Sequence, residues 1–217
     1  VRTDDLLLPI PLTPVEKNWV LHDPPGDPAL FLLYRLDPLT LFVRTSAGWA
    51  AHLSTPTGWT KALGKPPRLS THLLPFEAGY LGWWHTILDR WYVHGAYYLN
   101  ASFTLTARTG ILFDGQHVIS GYKPGVLYVS SQVDAGDRIR LFYGEADAHT
   151  GTTTILKADL IDRLWPAIRH SGRAGRTRCA RGCRRCVSHR PARPRSSTSS
   201  HSTWMIATGS SSREVRH

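Results

Sequence analysis

The sequence predicts an all-β protein, and three observations support that prediction. Runs rich in aromatic and β-branched residues recur between residues 29 and 160 and begin roughly every 10 to 14 residues. Clusters of Asp, Gly and Pro separate these runs, as in tight turns. Glycine and proline number 18 and 15 among 217 residues, and helix formers do not dominate. The spacing is typical of a sandwich, a barrel or a propeller rather than of alternating strands and helices.

Eight runs are predicted to be strands, separated by the turn segments DP, LDR, FDGQ, DAGD and HTG. In chain order they are ALFLLYRL (29–36), LTLFVRTS (39–46), GYLGWWHTI (79–87), WYVHGAYYLN (91–100), SFTLTART (102–109), GVLYVSSQV (125–133), DRIRLFYGEAD (137–147) and TTTILKADL (152–160).

The strands also show a coarser repeat. The same pattern occurs in two segments, 79–100 and 125–149. Each has a strand that begins with Gly, then a polar turn, then an aromatic strand that ends in small or polar residues. A repeat of hairpins at roughly 45 residues is typical of propeller blades.

The composition changes sharply after residue 166, which predicts two regions, 1–166 and 167–217. The second region holds twelve arginines, no lysine and one acidic residue, so its net charge is +11, whereas the first is near neutral at −1. The second region lacks a hydrophobic period and is rich in Arg and Ser, which predicts disorder. Arginine without lysine is also the bias expected of a GC-rich gene read in a shifted frame, a hypothesis that the other reading frames would test.

Two groups of metal-ligand residue types occur, and neither predicts a metal site. Cys179, Cys183 and Cys186 have a spacing that could hold an iron–sulfur cluster, but they lie in the low-complexity basic region. His85 and His94 are nine residues apart with no nearby Cys or paired His to complete a zinc site. Packed, hydrogen-bonded histidines are the favoured interpretation.

The charge distribution and hydropathy bear on partners and location. The basic region lacks interleaved aromatic residues, so it predicts at most non-specific attraction to nucleic acid. The sequence contains no run of 18 apolar residues, and its first residues do not resemble a signal peptide. No membrane partner is expected, and the cytoplasm is the favoured location.

Three stretches carry a family resemblance through their order and spacing. They are EKNWVLHDPPGDPALFLLYRLDP (16–38), GKPPRLSTHLLPFEAGYLGWWHT (64–86) followed by YVHGAYYLN, and GYKPGVLYVSSQVDAGDRIRLFYGEAD (121–147). Together they resemble glycoside hydrolase family 130, the five-bladed β-propellers that include β-mannoside phosphorylases and β-1,2-mannosidases.

The resemblance implies a partial propeller of roughly three of the five blades, the C-terminal fragment of a longer protein. It implies a carbohydrate-active enzyme that cleaves or transfers a mannosyl unit by phosphorolysis, hydrolysis or transfer. The implied partner is a small oligosaccharide or mannoside. No cofactor is implied, although inorganic phosphate could be a co-substrate, and the oligomeric state is left open.

The resemblance also implies six site residues. Those expected to bind the sugar are Asp147, Arg35, Trp83 and Tyr98, and those expected to position phosphate or an attacking water are Lys17 and His85. Sugar C–H faces stack on aromatic rings, and cationic side chains hold oxyanions. The alternatives are a turn-capping Asp, solvated surface charges, a packed His and core aromatic residues. Packing is the safer assignment for any one of the rings.

Two further expectations concern carboxylates. Glu145 and Asp147 stand two apart at a predicted strand end, so they are expected to share a face. Glu145 replaces an Ala of the family pattern, so its role is open. The motif with the family's general-acid Asp is not found, so the catalytic acid is expected upstream of this chain. The alternative function is a non-catalytic propeller that binds glycan or protein.

Overall fold

The computed structural model describes residues 8–12, 17–24, 26 and 28–165, which form three antiparallel sheets and two short helices. The predicted boundary at residue 166 and the predicted basic, disordered region lie outside the described residues. The same is true of Cys179, Cys183 and Cys186.

The first sheet has four strands in chain order, so each strand pairs with its sequence neighbour. The strands are β1 (Val20–His22), β2 (Phe31–Leu36), β3 (Leu39–Thr45) and β4 (Gly48–Thr55). The turn after β2 is anchored by Asp37. Its carboxylate accepts hydrogen bonds from the backbone N–H and the hydroxyl of Thr57 and from the N–H of Thr60.

The helix α1 (Trp59–Leu63) leads into the second sheet. This sheet is centred on one long hairpin, and short strands pair with its two edges. Its strands are β5 (Arg68–Leu69), β6 (Leu74–Phe76), β7 (Gly79–Leu88), β8 (Trp91–Asn100), β9 (Leu105–Arg108) and β10 (Phe113–Asp114).

The third sheet consists of three strands in chain order, followed by a helix. The elements are β11 (Leu127–Asp134), β12 (Arg138–Glu145), β13 (His149–Leu156) and α2 (Lys157–Leu164). Leu160 and Leu164 of α2 are buried. They are four residues apart and therefore lie on one face of the helix, where they join the core against the third sheet.

The second sheet is buried on both faces because successive side chains of β7 and β8 point in opposite directions. Trp84 and Tyr97 pack towards the first sheet. Trp83 and Tyr98 pack towards the third sheet and α2. Burial on both faces explains why these two strands read as nearly continuous hydrophobic runs rather than as an alternation.

Gln132 on β11 links the third sheet to the second through buried hydrogen bonds. Its side-chain oxygen accepts from the indole N–H of Trp83 at 2.9 Å. Its amide nitrogen donates to the carbonyl of Leu81 at 2.9 Å and to that of His72 at 2.8 Å. Since Gln132 is 0% exposed, these bonds satisfy its side-chain oxygen and amide nitrogen in place of water.

The structure confirms most of the predicted strands and differs from the prediction at the end of a strand and at strands that the sequence did not predict. The hairpin of β7 and β8 and the hairpin of β11 and β12 match the two predicted repeats. The prediction of strand as far as residue 160 is wrong, because α2 begins at Lys157. The strand β4 was not predicted, since its sequence GWAAHLST carries few β-branched residues.

Candidate functional site

A cavity of about 540 Å³ lies beside the ends of β7, β8 and the third sheet. This volume falls within the range of small-molecule sites. Its lining residues are Lys17, Asn18, His85, Tyr92, Val126, Tyr128, Ser130, Phe142, Tyr143, Gly144, Asp147, Thr150, Gly151 and Thr152. Three of the six predicted site residues, Lys17, His85 and Asp147, are therefore brought together.

Lys17 reaches the cavity from the segment that precedes β1. Its side chain is exposed, and the following residue, Asn18, has φ 64°. Asparagine tolerates this left-handed conformation better than most residues do. The turn at Asn18 redirects the chain, so the Lys-Asn pair of the sequence motif lines the cavity as a unit.

His85 lies on β7 at the inner wall and is 3% exposed. Its Nδ1 is 2.8 Å from the hydroxyl of Ser70, and its ring stacks on Tyr92 with centroids 5.7 Å apart. Burial, followed by the nearby cations of Arg68 and Lys17, lowers the pKa of His85 to about 4. The imidazole is therefore neutral at pH 7. It can contribute a hydrogen bond but not a positive charge, and its role in positioning phosphate or water stays a prediction.

His94 stands behind His85, directly opposite it across β7 and β8. Burial, with a smaller effect from His85, lowers the pKa of His94 to about 3. Its Nε2 accepts a hydrogen bond from the N–H of Val129 at 3.3 Å. The alternative interpretation from the sequence, a packed and hydrogen-bonded histidine, describes His94.

Asp147 lies in the turn between β12 and β13, where Ala146 and Asp147 have φ values of 54° and 53°. The N–H of Ala148 donates to the carbonyl of Glu145 at 2.9 Å and closes the turn. The carboxylate of Asp147 is 2.7 Å from the ammonium of Lys123, and this hydrogen bond raises the pKa of Lys123.

The prediction that Glu145 and Asp147 share a strand face is wrong. The strand β12 ends at Glu145, and two left-handed residues follow, so the period of two does not continue to Asp147. Glu145 pairs with His149 at the start of β13 and is not among the residues that line the cavity.

Four aromatic side chains line the cavity, and the sequence interpretation did not select them as site residues. They are Tyr92, Tyr128, Phe142 and Tyr143. The sequence pattern around Phe142 indicates an exposed aromatic residue, which is a feature of binding sites. On β12 it follows the alternation of buried Ile139 and Leu141 with exposed residues, and it is 37% exposed at a position where a polar residue is usual.

The ring of Tyr143 owes its place to a glycine on the neighbouring strand. A Cβ at Gly151 would be 2.6 Å from Cζ of Tyr143. Any residue with a side chain at position 151 would therefore clash with the ring, which lies directly over the glycine. This cross-strand pair fixes one wall of the cavity.

The predictions that Trp83 and Tyr98 bind sugar are not supported, because both residues belong to the core. Trp83 is 0% exposed and donates its indole N–H to Gln132. Tyr98 is 7% exposed and packs edge-on against Trp165 with ring centroids 4.9 Å apart. Neither residue lines the cavity.

Arg35 is also outside the cavity. It lies at an irregularity in the pairing of β2 with β3, and its guanidinium carbon is 4.8 Å from the ring centroid of Tyr34. The alternative interpretation, an exposed surface charge, describes its position.

Among the described residues, no group of three or more His, Cys, Asp and Glu side chains is placed to hold a metal ion. Within the same part of the chain, no helix is both long enough and apolar enough to cross a membrane.

Comparison with known proteins finds similarity in structure only. No protein-family profile and no curated protein sequence matches the chain. A β-1,2-mannobiose phosphorylase from Listeria innocua, solved with β-1,2-mannobiose, is 17% identical with a TM-score of 0.55, over 70% of this chain and 47% of that one. A glycosyl hydrolase from Bacteroides ovatus is 10% identical with a TM-score of 0.47, over 65% and 49% of the two chains.

A third structure comes from the GH130 family of mannoside phosphorylases, which contains glycoside hydrolases that target β-1,2 mannosidic linkages in Candida mannan. It is 11% identical with a TM-score of 0.47, over 65% of this chain and 49% of that one. The chain thus spans about half the length of the solved structures that it matches.

The described residues share the fold of about half of the Listeria phosphorylase. This finding confirms the predicted fold class, an all-β partial propeller, and the resemblance to glycoside hydrolase family 130 at the level of the fold. Three antiparallel sheets that follow one another along the chain, with shared cores between neighbours, are the arrangement of successive blades. The comparison gives no support to mannosyl transfer.

Proposed function

We propose that the cavity binds a small mannoside and that the chain forms part of a carbohydrate-active enzyme acting on β-mannosides by phosphorolysis or hydrolysis. The observation that carries the proposal is the composition of the cavity wall. Four aromatic rings stand beside Lys17, His85 and Asp147. The fold in which this wall occurs is shared with a phosphorylase solved with β-1,2-mannobiose.

Each part of the wall matches a part of a sugar. The rings of Phe142 and Tyr128 offer apolar faces for sugar C–H groups. The Asp147 carboxylate can accept hydrogen bonds from two hydroxyl groups, and the Asn18 amide can both donate and accept. Such a mixture of rings and planar polar groups is what recognition of a hydroxylated ring requires.

The charges around the cavity favour phosphate as the co-substrate. Lys17 lines the cavity as a cation, and the charge of Asp147 is offset by Lys123 at 2.7 Å. An anion entering the cavity would therefore meet Lys17 without an unpaired carboxylate beside it. Neutral His85 would add a hydrogen bond rather than a charge.

One observation favours a second candidate, a glycan-binding propeller without catalysis. Asp147 is the single carboxylate among the described residues that line the cavity, and it is already paired with Lys123. Cleavage of a glycosidic bond requires a protonated group at the leaving oxygen, typically a carboxylic acid. This wall provides no second carboxylate for that role.

Binding is tested by isothermal titration of the chain with β-1,2-mannobiose, comparing Asp147→Asn with Asp134→Asn. The two carboxylates are matched, since each is 2.7 Å from a lysine ammonium and their side chains are 46% and 47% exposed, but Asp134 is outside the cavity. We expect Asp147→Asn to weaken binding by about 10- to 150-fold, since hydrogen bonds to a charged group contribute about 1.5–3 kcal/mol. Equal affinities of the two variants would contradict the proposal.

Chemistry is tested by incubating β-1,2-mannobiose with the chain, with and without phosphate. Mannose 1-phosphate identifies phosphorolysis, and free mannose identifies hydrolysis. Binding without either product is the result expected of this chain alone, because Asp147 is the single carboxylate among the described lining residues and is paired with Lys123; it would support the binding role of the cavity. No binding and no product would refute both candidates.

A further inference from the structure

The histidines at the inner wall of the cavity are fixed through opposite ring nitrogens. Nδ1 of His85 is 2.8 Å from the hydroxyl of Ser70. Nε2 of His94 accepts from the N–H of Val129. The two rings stack with centroids 5.7 Å apart. A neutral imidazole carries its proton on the nitrogen that does not accept, so the acceptor role of Nε2 puts the proton of His94 on Nδ1, which is buried and has no hydrogen-bond partner among the described residues.

The surroundings of Ser70 decide which group donates in its bond with His85. The backbone of Ser70 is held on both sides, because its N–H donates to Trp83 and its carbonyl accepts from the Tyr128 hydroxyl. Among the described residues, the only hydrogen-bond partner of the Ser70 hydroxyl is Nδ1 of His85. If that hydroxyl accepted, its own proton would have no partner there. Donation satisfies it and leaves the His85 proton on Nε2.

Nε2 of His85 is available to a ligand. It has no hydrogen-bond partner within the described part of the chain, and it is not one of the fully buried polar atoms that lack a partner. His85 lines the cavity, and burial together with Arg68 and Lys17 keeps its ring neutral at pH 7.

We infer that Ser70 is a positioning residue whose hydroxyl holds His85 in the Nε2–H form, so that the ring presents a neutral hydrogen-bond donor to a sugar oxygen in the cavity. The ligand part of this inference rests on the proposed function. The tautomer part does not, because it concerns the protein without ligand. Ser70 itself does not line the cavity and acts through His85.

The tautomers can be read from ring ¹⁵N chemical shifts of the labelled 217-residue chain at pH 7.5. We expect a protonated Nε2 in His85 and a protonated Nδ1 in His94. Ser70→Ala should shift the His85 nitrogens towards a mixture of forms and leave His94 unchanged, whereas Ser70→Thr should preserve the wild-type pattern. A protonated Nδ1 in wild-type His85 would overturn the inference, and this result does not require the alanine variant to fold.

The ligand part is tested by titration of the same proteins with β-1,2-mannobiose. Loss of one neutral hydrogen bond should weaken binding of Ser70→Ala by about 2- to 10-fold, and Ser70→Thr should restore it. Unchanged affinity in Ser70→Ala, with altered His85 shifts, would overturn the ligand part. If the wild-type chain binds no mannobiose, the proposed function is wrong, while the nitrogen shifts still decide the tautomer.

Discussion

Replacement of Gln132 by leucine should strongly destabilise the protein, because Gln132 links the third sheet to the second. Leucine is similar in size but leaves the indole N–H of Trp83 and the carbonyl of Leu81 without their bonds to Gln132. A buried polar group that loses its partner costs about 1–3 kcal/mol. The two groups together predict a loss of about 2–6 kcal/mol, a large part of the stability of a typical domain.

Thermal unfolding followed by circular dichroism measures this loss. For a chain of this size we expect the melting temperature to fall by roughly 5–20 °C. Gln116→Leu is the matched control, since it makes the same chemical change at an exposed position. It should change stability by less than about 0.5 kcal/mol. Equal melting temperatures of the two variants would refute the assignment of Trp83 to the core between the sheets.

Two further predictions concern packing and pH. Gly82→Ala should destabilise the protein by about 1–3 kcal/mol in urea unfolding, because its Cβ would overlap the ring of buried Tyr97. Gly110→Ala, whose Cβ meets nothing within 4 Å, should be near neutral, and equal losses would count against the cross-strand packing. Burial lowers the pKa of His85 to about 4 and of His94 to about 3, so the unfolded state binds more protons below about pH 6.5. Stability should therefore fall as the pH falls from about 6.5, by up to about 1.4 kcal/mol per pH unit from each histidine, and this loss ends near pH 4 for His85 and near pH 3 for His94. His85→Phe should have a shallower slope, and an unchanged slope would argue against the neutral, buried ring.

The strands that the sequence predicted well are those whose composition and packing agree. β7, β8, β11 and β12 are rich in aromatic and β-branched residues and are bounded by polar turns. The strand β4 was missed because it has alanines at two adjacent positions and is largely exposed. Such a strand contains few of the aromatic and β-branched residues on which a prediction from composition depends.

Helix α2 was missed because its first residues follow a β-branched run without a break. No Ser, Thr, Asp or Asn side chain caps its start, where Leu156 takes the N-cap position. The remaining signal was the spacing of Leu160 and Leu164, one helical turn apart and both buried. In a helix of eight residues this spacing is a weaker indication of helix than the preceding run TTTIL is of strand.

The site was half predictable from the sequence. Lys17, His85 and Asp147 come from three separate segments, and motif order alone associated them. Trp83 and Tyr98 lie in the core rather than at the cavity, and because both faces of the second sheet are covered, alternation does not distinguish a core ring from a cavity ring. The left-handed turn at Ala146 was also unpredictable, since alanine disfavours that conformation.

The central claim is that the aromatic wall of the cavity binds a mannoside. Equilibrium titration with β-1,2-mannobiose of Phe142→Ala against Tyr122→Ala tests it most directly. Phe142 lines the cavity and is 37% exposed, whereas Tyr122 is 79% exposed and is not a lining residue, so neither change removes a core side chain. Stacking on an aromatic ring contributes about 0.5–1.5 kcal/mol, which predicts about 2- to 10-fold weaker binding for Phe142→Ala and wild-type binding for Tyr122→Ala. Wild-type affinity in Phe142→Ala, or an equal loss in both variants, would contradict the claim.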